Sequence, residues 1–219
     1  MKKAFTMVEL VFVIILVGIL SFFISESLQR NTLQEAADQV ISHIRYTQHL
    51  AMMDEKFTST ESDWYKKRWQ IAFVNNQGSD NQWAYTVFSD WKGAHTGNPD
   101  IGEIAVNPSN PKQYLTGGTS GAGLIHYGDA EATAQLNIGH TYGISQVTFT
   151  GGCNTANRVT FDYLGRPFQG SSSTMTSPYG NNRLIVSDCN ITLFKDNGQN
   201  IVITVKPETG YSYISRKSF

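Results

Sequence analysis

The sequence predicts an α+β protein in which a long N-terminal helix packs on an antiparallel β-sheet or a two-sheet β domain. Three observations support this fold class. An apolar run opens the chain, an amphipathic helical pattern follows it, and the remainder is rich in glycine and short alternating segments. With 219 residues, the chain is long enough for one such helix and one domain with its own core.

The composition supports the β domain and limits the partners. The chain contains 19 glycines, 12% aromatic residues and only 16% charged residues, which is typical of a β-rich body with many tight turns. Its net charge of -1 creates no overall field that would draw it to nucleic acid or to an anionic membrane surface. Any binding of that kind has to be local.

The apolar run over residues 5–24 is predicted to span a membrane. Few polar residues interrupt it, and at 1.5 Å per residue its length matches a hydrocarbon core of about 30 Å. Because Lys2 and Lys3 precede the run, the positive-inside rule places the N-terminus in the cytoplasm and the rest of the chain outside. A secretory signal peptide is the alternative, but the run does not end in a clear small-x-small cleavage site.

Residues 25–57 are predicted to continue the helix as an amphipathic stretch. Apolar or small residues recur there at spacings of three and four: Leu33, Ala37, Val40, Ile44, Thr47 and Ala51. No proline or helix-ending glycine interrupts the stretch, so the two halves are predicted to form one helix over residues 5–57, about 75 Å long. The alternative is a single-span anchor followed by a separate helical stalk.

The first ten residues, MKKAFTMVEL, resemble the signal of type IV prepilins and type II secretion pseudopilins. In that family a short basic leader is removed and the new N-terminal phenylalanine is methylated. The resemblance therefore implies a leader over residues 1–4, cleavage between Ala4 and Phe5, and methylation of Phe5. The family usually has glycine before the cut, where this chain has Ala4.

Glu9 is the one carboxylate in the apolar run and is predicted to be an assembly residue. An unpaired carboxylate in a membrane helix costs about 2.5 to 3.5 kcal/mol, so a partner is expected. After cleavage, the α-amino group of Phe5 lies about one helical turn away in the same chain. The resemblance implies that Glu9 instead pairs with that amine on a neighbouring filament subunit. A glutamate near the interface that reaches the headgroups is the alternative.

Residues 58–219 are predicted to form a β-rich globular domain, which the resemblance places in the periplasm. The predicted strands cover residues 67–74, 82–89, 145–150, 157–163, 183–187, 190–195, 200–206 and 211–216. The loop NNQGSDN, rich in turn-forming residues, predicts that the first two strands form a hairpin, and the turn sequences KDNGQN and PETG predict that the last three strands form a meander. Residues 90–140, rich in glycine, asparagine, proline and threonine, are predicted to be a long surface-exposed excursion.

The stretches RVTFDYLGRP, RLIVS and NIVITVKPETGYSYI resemble the C-terminal domain of the GspH/FimT-like minor pseudopilins. This resemblance implies a pilin-like fold, and it does not account for the excursion. The two cysteines, Cys153 and Cys189, both lie in the part predicted to be outside the cytoplasm. A disulfide that closes a loop of about 36 residues is expected there, worth about 3 to 4 kcal/mol. Two free buried thiols are the alternative.

The sequence contains little that indicates catalysis, so no enzyme, metal or cofactor is predicted. The five histidines show neither HxH nor HxxxH spacing, and no GxSxG nucleophile motif is present. Gly118, Gly121 and Gly123 resemble part of a phosphate loop, but no strand, helix or GK[ST] accompanies them. Asp80 and Asp129 could bind calcium, although no EF-hand spacing supports that role.

Two function classes follow from these features. The first is a structural subunit, a minor pseudopilin or pilin-like protein of a periplasmic filament in type II secretion or type IV pilus machinery. Its implied partners are other pilin subunits, a prepilin peptidase and an inner-membrane assembly platform. The alternative is a DNA-binding minor pilin of a DNA-uptake system, with Arg216 and Lys217 as contacts and Arg158, Arg166 and Arg183 nearby. A solvated basic tail is favoured over that alternative.

Overall fold

The computed structural model of the chain describes residues 6–27, 31–119, 124–154, 157–180 and 183–218, and it describes the side chains of the first range only as far as residue 21. The chain divides into two compact units, Met1–Asn31 and Thr32–Phe219. The first unit contains helix α1 (Met7–Ser27). The second contains helix α2 (Thr32–Met53), the short helix α3 (Ile138–Tyr142) and the β-strands.

The strands of the second unit form two antiparallel sheets. Sheet 1 has the order β2-β1-β4-β5 and sheet 2 the order β3-β6-β7-β8. In chain order the strands are β1 (Trp69–Asn75), β2 (Trp83–Ser89), β3 (Gln146–Gly151), β4 (Arg158–Phe161), β5 (Pro167–Gln169), β6 (Cys189–Phe194), β7 (Asn200–Val205) and β8 (Ser212–Ser218). The predicted α+β class is confirmed, in its two-sheet form.

The predicted membrane span is corrected by the structure. Among the described residues, no helix is both long enough and apolar enough to cross a membrane. The prediction of a span over residues 5–24 is therefore not supported. The same holds for a single-pass inner-membrane protein with a cytoplasmic N-terminus and a periplasmic C-terminal domain.

The predicted helix over residues 5–57 is described as two segments, α1 and α2. Asn31 lies outside both helices, and residues 28–30 lie outside the described residues. At its other end α2 stops at Met53, four residues before the predicted end. The next residue, Asp54, accepts a hydrogen bond of 2.9 Å from the indole of Trp69, which ties the chain to the start of β1.

The amphipathic stripe predicted for α2 forms one wall of the main core. All six residues of the predicted stripe are at most 4% exposed, and the hydroxyl of Thr47 donates to the carbonyl of His43. The inward side chains of both sheets pack in the same cluster, including Ile71, Phe73, Val87, Val159, Ile191, Leu193, Ile201 and Ile203. The helix and the two sheets therefore share a single hydrophobic core.

The predicted hairpin and meander are both present. Strands β1 and β2 pair over their whole length, from Trp69 with Ser89 to Asn75 with Trp83, and β6, β7 and β8 are neighbours in sheet 2. The predicted strand over residues 183–187 is reduced to one bridge between Leu184 and Phe168. Strand β5 was not predicted, because it has only three residues and begins with a proline, which is tolerated only in edge or terminal positions of a sheet.

The excursion over residues 90–140 is more buried than the sequence predicts. Its segments bridge to the free edge of β2, where Thr86 pairs with Thr116 and Phe88 with Ile104. Leu115, Leu136 and Ile138 are fully buried in the main core. A second, smaller core of Ala72, Phe88, Ile104, Ile125 and Ala132 lies on the other face of sheet 1. The prediction of a purely surface-exposed excursion is therefore wrong.

The predicted disulfide between Cys153 and Cys189 is present, with the two Cα atoms 5.1 Å apart. Both cysteines are completely buried. Cys189 opens β6 and pairs with Gly151 at the end of β3, so the disulfide closes the pair of strands where the chain leaves sheet 2.

Removing this disulfide is expected to destabilise the second unit by about 3 to 4 kcal/mol, because the unfolded chain regains the freedom of a loop of about 36 residues. The free energy of unfolding of a Cys153→Ala, Cys189→Ala variant, measured with denaturant, checks this. Wild type unfolded under reducing conditions is the matched control. A loss below about 1 kcal/mol would show that the loop-closure argument does not hold here.

Candidate functional site

The candidate site lies at the N-terminal end of α1, where Thr6 and Glu9 form a reciprocal cap. The backbone N–H of Thr6 donates to Glu9 Oε2 at 3.0 Å, and the Thr6 hydroxyl donates to the same oxygen at 2.9 Å. In return the backbone N–H of Glu9 lies 3.3 Å from Thr6 Oγ1. This arrangement is a capping box, which satisfies backbone N–H groups that the first helical turn leaves without partners.

The cap also explains the charge state of Glu9. Hydrogen bonds from the backbone and then from the side chain of Thr6 hold the pKa of the Glu9 carboxyl below its ordinary value. A carboxylate at a helix N-terminus is further favoured by the helix dipole. Glu9 is therefore ionised at neutral pH and has a role within its own helix.

The sequence contains a pattern that indicates this cap, and the prediction of a membrane span did not take it into account. Threonine followed three residues later by glutamate, just before an apolar run, is a typical helix N-terminus pattern. The structure therefore gives Glu9 a local role in addition to the predicted assembly role. The predicted cleavage and methylation residues, Ala4 and Phe5, lie outside the described residues, as do Lys2 and Lys3.

The rest of the described part of α1 is an exposed apolar surface. From Met7 to Leu20 its large apolar side chains are between 43% and 85% exposed, which leaves them without cover on every side of the helix. Between Thr6 and Ser21, Glu9 is the only ionisable side chain. A helix that is apolar all round is stable only when another apolar surface buries it.

The basic residues proposed as DNA contacts do not form one patch. Arg216 pairs across the sheet with Val202, and Lys217 pairs with Ile201. Since successive residues of a strand point to opposite faces of a sheet, these two side chains point to opposite faces of sheet 2. Charged residues on an edge strand such as β8 also discourage pairing with other chains, which is a sufficient role for both.

The three arginines proposed to lie nearby belong to sheet 1 and its loops, and each has protein partners. Arg158 donates to Gln70 Oε1 and to the carbonyl of Gly97, at 3.2 and 2.6 Å. Arg166 pairs with the buried carboxylate of Asp162 at 2.7 Å. Arg183 donates to the Gln169 carbonyl and to the Thr174 hydroxyl.

The acidic loop residues considered for calcium each have a structural partner. Asp80 lies 3.0 Å from His140 Nε2, and the carboxylate of Asp129 accepts the backbone N–H of His126 at 2.7 Å. In the part of the chain that the structure describes, no group of three or more histidine, cysteine, aspartate or glutamate residues could hold a metal ion. Of the glycines that resembled a phosphate loop, Gly121 and Gly123 lie outside the described residues.

Sequence reasoning also missed a polar network beneath α2. His43 Nδ1 lies 2.7 Å from the hydroxyl of Tyr85, which accepts a 3.0 Å hydrogen bond from Gln39 Nε2. The hydroxyl of Tyr142 donates to Gln39 Oε1. Burial lowers the pKa of His43 to about 4 and raises the pKa of Tyr85. The neutral imidazole can therefore accept a hydrogen bond from the Tyr85 hydroxyl. The network joins α2 to sheet 1 and to α3.

Comparisons with protein families, with curated proteins and with solved structures found no match to this chain. The resemblance of its first ten residues to prepilin signals therefore stays a prediction. The observations available for a functional assignment are the capped carboxylate of Glu9 and the exposed apolar surface of α1.

The network around His43 predicts a loss of stability in mild acid. The folded pKa of about 4 lies below the ordinary histidine value of about 6.5, so between these pH values the unfolded chain binds a proton that the folded chain does not. The contribution of His43 to the free energy of unfolding is therefore fully present above pH 6.5 and is lost as the pH falls toward 4. The loss is about 2 kcal/mol after allowance for the partial exposure of His43.

Denaturant unfolding at several pH values between 4 and 7 measures this effect. Replacement of His43 by Gln removes the titrating ring and should flatten the pH dependence by the same amount. His49→Gln, at an exposed position on the same helix, is the matched control and should leave the dependence unchanged. If the free energy of unfolding changed with pH by the same slope in wild type and in His43→Gln, the acid sensitivity could not be assigned to His43.

Proposed function

We propose that the chain is a non-enzymatic structural subunit of a periplasmic filament, a minor pseudopilin or pilin-like protein of type II secretion or type IV pilus machinery. In this proposal α1 packs against the same helix of other subunits, and the second unit forms the outer surface of the filament. A prepilin peptidase would act between Ala4 and Phe5 before assembly.

The observation that carries the proposal is the exposed apolar surface of α1. Nearly every described side chain after the first turn is apolar and half or more exposed, including Phe12, Ile14 and Leu20. Leaving such a surface in water costs about 25 cal/mol for each Å² of apolar area, and burying it between copies recovers that free energy. A bundle of identical helices provides the required apolar partner for every copy.

Gly18 supports close packing of α1 against another helix. A Cβ atom added to Gly18 would have no neighbour within 4 Å in the chain, so the small residue leaves a shallow site on the helix surface. Small residues at such positions allow the backbones of two packed helices to approach closely.

Glu9 supports a defined register for that packing. Its two accepted hydrogen bonds use Oε2, and a carboxylate can accept at about four lone-pair positions, so capping leaves capacity for an incoming cation. In the proposal this cation is the α-amino group of Phe5 from a neighbouring copy. A shift by one subunit would then leave both charges unpaired in apolar surroundings, which is strongly unfavourable.

Three variants separate the charge of Glu9 from its capping role. Glu9→Gln keeps a side chain that can complete a capping box but removes the charge, whereas Glu9→Ala removes both. Thr6→Ala removes the hydroxyl of the cap and keeps the charge, at a cost of about 1 kcal/mol in helix stability. If the charge guides assembly, both Glu9 variants lose filaments and Thr6→Ala retains them.

Filament formation in cells that express the assembly machinery, followed by electron microscopy and subunit cross-linking, is the measurement. Disulfide formation in each variant shows that the second unit has folded. Filaments of Glu9→Gln that match wild type in number and length would refute the docking role of the charge. Loss of filaments in Thr6→Ala alone would assign the site to capping.

A further inference from the structure

An open groove of about 380 Å³ lies between α2 and the excursion. Two residues of α2 line it, together with four residues of the turn over residues 107–113 and three residues of the segment 133–136. Its volume falls within the range of about 300 to 1,000 Å³ that small-molecule sites occupy in proteins.

The lining of this groove is polar and uncharged. Among the described residues that form it are amides, hydroxyls, an imidazole and one aliphatic side chain, but no aspartate, glutamate, lysine or arginine. The imidazole belongs to His43, and because burial lowers its pKa to about 4, the ring is uncharged at neutral pH. The aliphatic side chain belongs to Leu136, which is completely buried. The groove therefore offers hydrogen bonds, without a charge and with little apolar surface.

The network beneath α2 determines which ring nitrogen of His43 carries the hydrogen. Nε2 of Gln39 donates to the backbone carbonyl of Gln135, which fixes the orientation of the amide, and also to the hydroxyl oxygen of Tyr85. Since Tyr85 is completely buried, its own hydroxyl hydrogen needs an acceptor, and Nδ1 of His43, at 2.7 Å, provides it. The neutral ring therefore carries its hydrogen on Nε2.

Nε2 of His43 is free to bind a ligand. It makes no hydrogen bond with any other described residue, and it does not belong to the buried polar atoms of the described chain that lack a partner, so it is accessible to solvent. Because His43 lines the groove, its ring places one N–H donor of fixed orientation there. That orientation depends on Gln39 and Tyr85, which hold the ring from the side of the core.

The turn over residues 107–113 adds polar groups that can bind a ligand. Its backbone is held by three hydrogen bonds within the turn, and prolines at positions 108 and 111 restrict it further. Nδ2 of Asn110, Oε1 of Gln113 and Oγ of Ser109 make no hydrogen bond with the rest of the described chain. The turn thus provides a donor, an acceptor and a hydroxyl that can act as either.

We propose that this groove binds a neutral saccharide, with Nε2 of His43 and Nδ2 of Asn110 donating to sugar oxygens and Oε1 of Gln113 accepting from a sugar hydroxyl. Each sugar hydroxyl can both donate and accept, which matches a lining that offers donors and acceptors together. An anion would find no cation in this lining, and a peptide would find no pocket for apolar side chains. No residue of α1 takes part, so the site is independent of the proposed filament function.

Three neutral trisaccharides, maltotriose, cellotriose and chitotriose, are suitable probes. Ligand-observed NMR titration of the full chain, in a polyoxyethylene detergent without a sugar headgroup, is expected to show at least one of them binding with a Kd of about 1 mM. Trigalacturonate is expected to bind more weakly than the best neutral sugar, because the lining has no cation to replace the water around its carboxylates. Equal or tighter binding of trigalacturonate would overturn the proposal.

The absence of binding by all three neutral sugars at about 50 mM would also overturn the proposal. Triglutamine, a neutral peptide with polar side chains, is the comparison for a peptide ligand and is expected not to bind. Binding of triglutamine without binding of any saccharide would assign the groove to a peptide and refute the saccharide site.

Two variants locate the binding in this groove. Asn110→Ala removes one donor and should weaken saccharide binding about fivefold, and Ser109→Phe fills the groove and should weaken it at least about tenfold. Both residues are exposed in the turn, and thermal unfolding reports whether each variant is folded. Asn154→Ala is the matched control, because Asn154 is exposed in the same unit and does not line the groove. Unchanged affinity in both turn variants would refute the site.

Tyr85→Phe tests whether the network positions His43. Loss of the hydroxyl leaves Nδ1 without its donor, so the ring hydrogen can move to either nitrogen. The chemical shifts of the ring nitrogens are expected to show the hydrogen on Nε2 in wild type and a mixture of both forms in the variant, with saccharide affinity about threefold lower. A wild-type ring that carries its hydrogen on Nδ1 would overturn the donor role of His43, whether or not the variant folds.

Discussion

The burial of the apolar stripe of α2 against both sheets is the interaction on which the second unit depends. Its large aliphatic side chains, such as Leu33, Val40 and Ile44, are at most 1% exposed, and each contributes about 1.5 to 3 kcal/mol by leaving water. Sheet 1 and sheet 2 place their inward side chains in the same cluster as this stripe, so neither sheet has a complete core without the helix. Polar side chains of α2 add directional contacts: Arg45 donates to the carbonyl of Ser212 at the start of β8.

The first unit poses the opposite physical problem. The described side chains of α1 are apolar and exposed, and the carboxylate of Glu9 near its start is held by Thr6. A helix of this kind gains little stability from its own chain and much from an apolar partner. The second unit therefore buries its main set of apolar side chains within itself, whereas the described apolar side chains of the first unit stay exposed. This contrast supports a proposal based on assembly more than one based on catalysis.

The sequence was a good guide wherever local pattern and tertiary contacts agree. The spacing of Leu33 to Ala51 predicted the buried face of α2, and the turn residues predicted the hairpin and the meander, because periodicity and turn chemistry act over a few residues. The sequence did not predict the burial of the excursion. Leu115 and Ile138 are buried by contacts with distant segments, and they belong to no repeating pattern that could be recognised locally. The capping role of Glu9 was also missed, because a membrane span was a sufficient explanation of the apolar run around it.

By itself, the sequence determined the α+β class, the register of the amphipathic helix, the positions of most strands and the presence of two cysteines suited to a disulfide. Only the tertiary structure decided which side chains meet. It showed that the excursion covers the outer face of sheet 1, that Arg158 lies beside Gln70, and that Arg216 and Lys217 point to opposite faces. The physical reason is that local patterns specify which face of an element is apolar, whereas the partner of a buried charge depends on residues far apart in the chain.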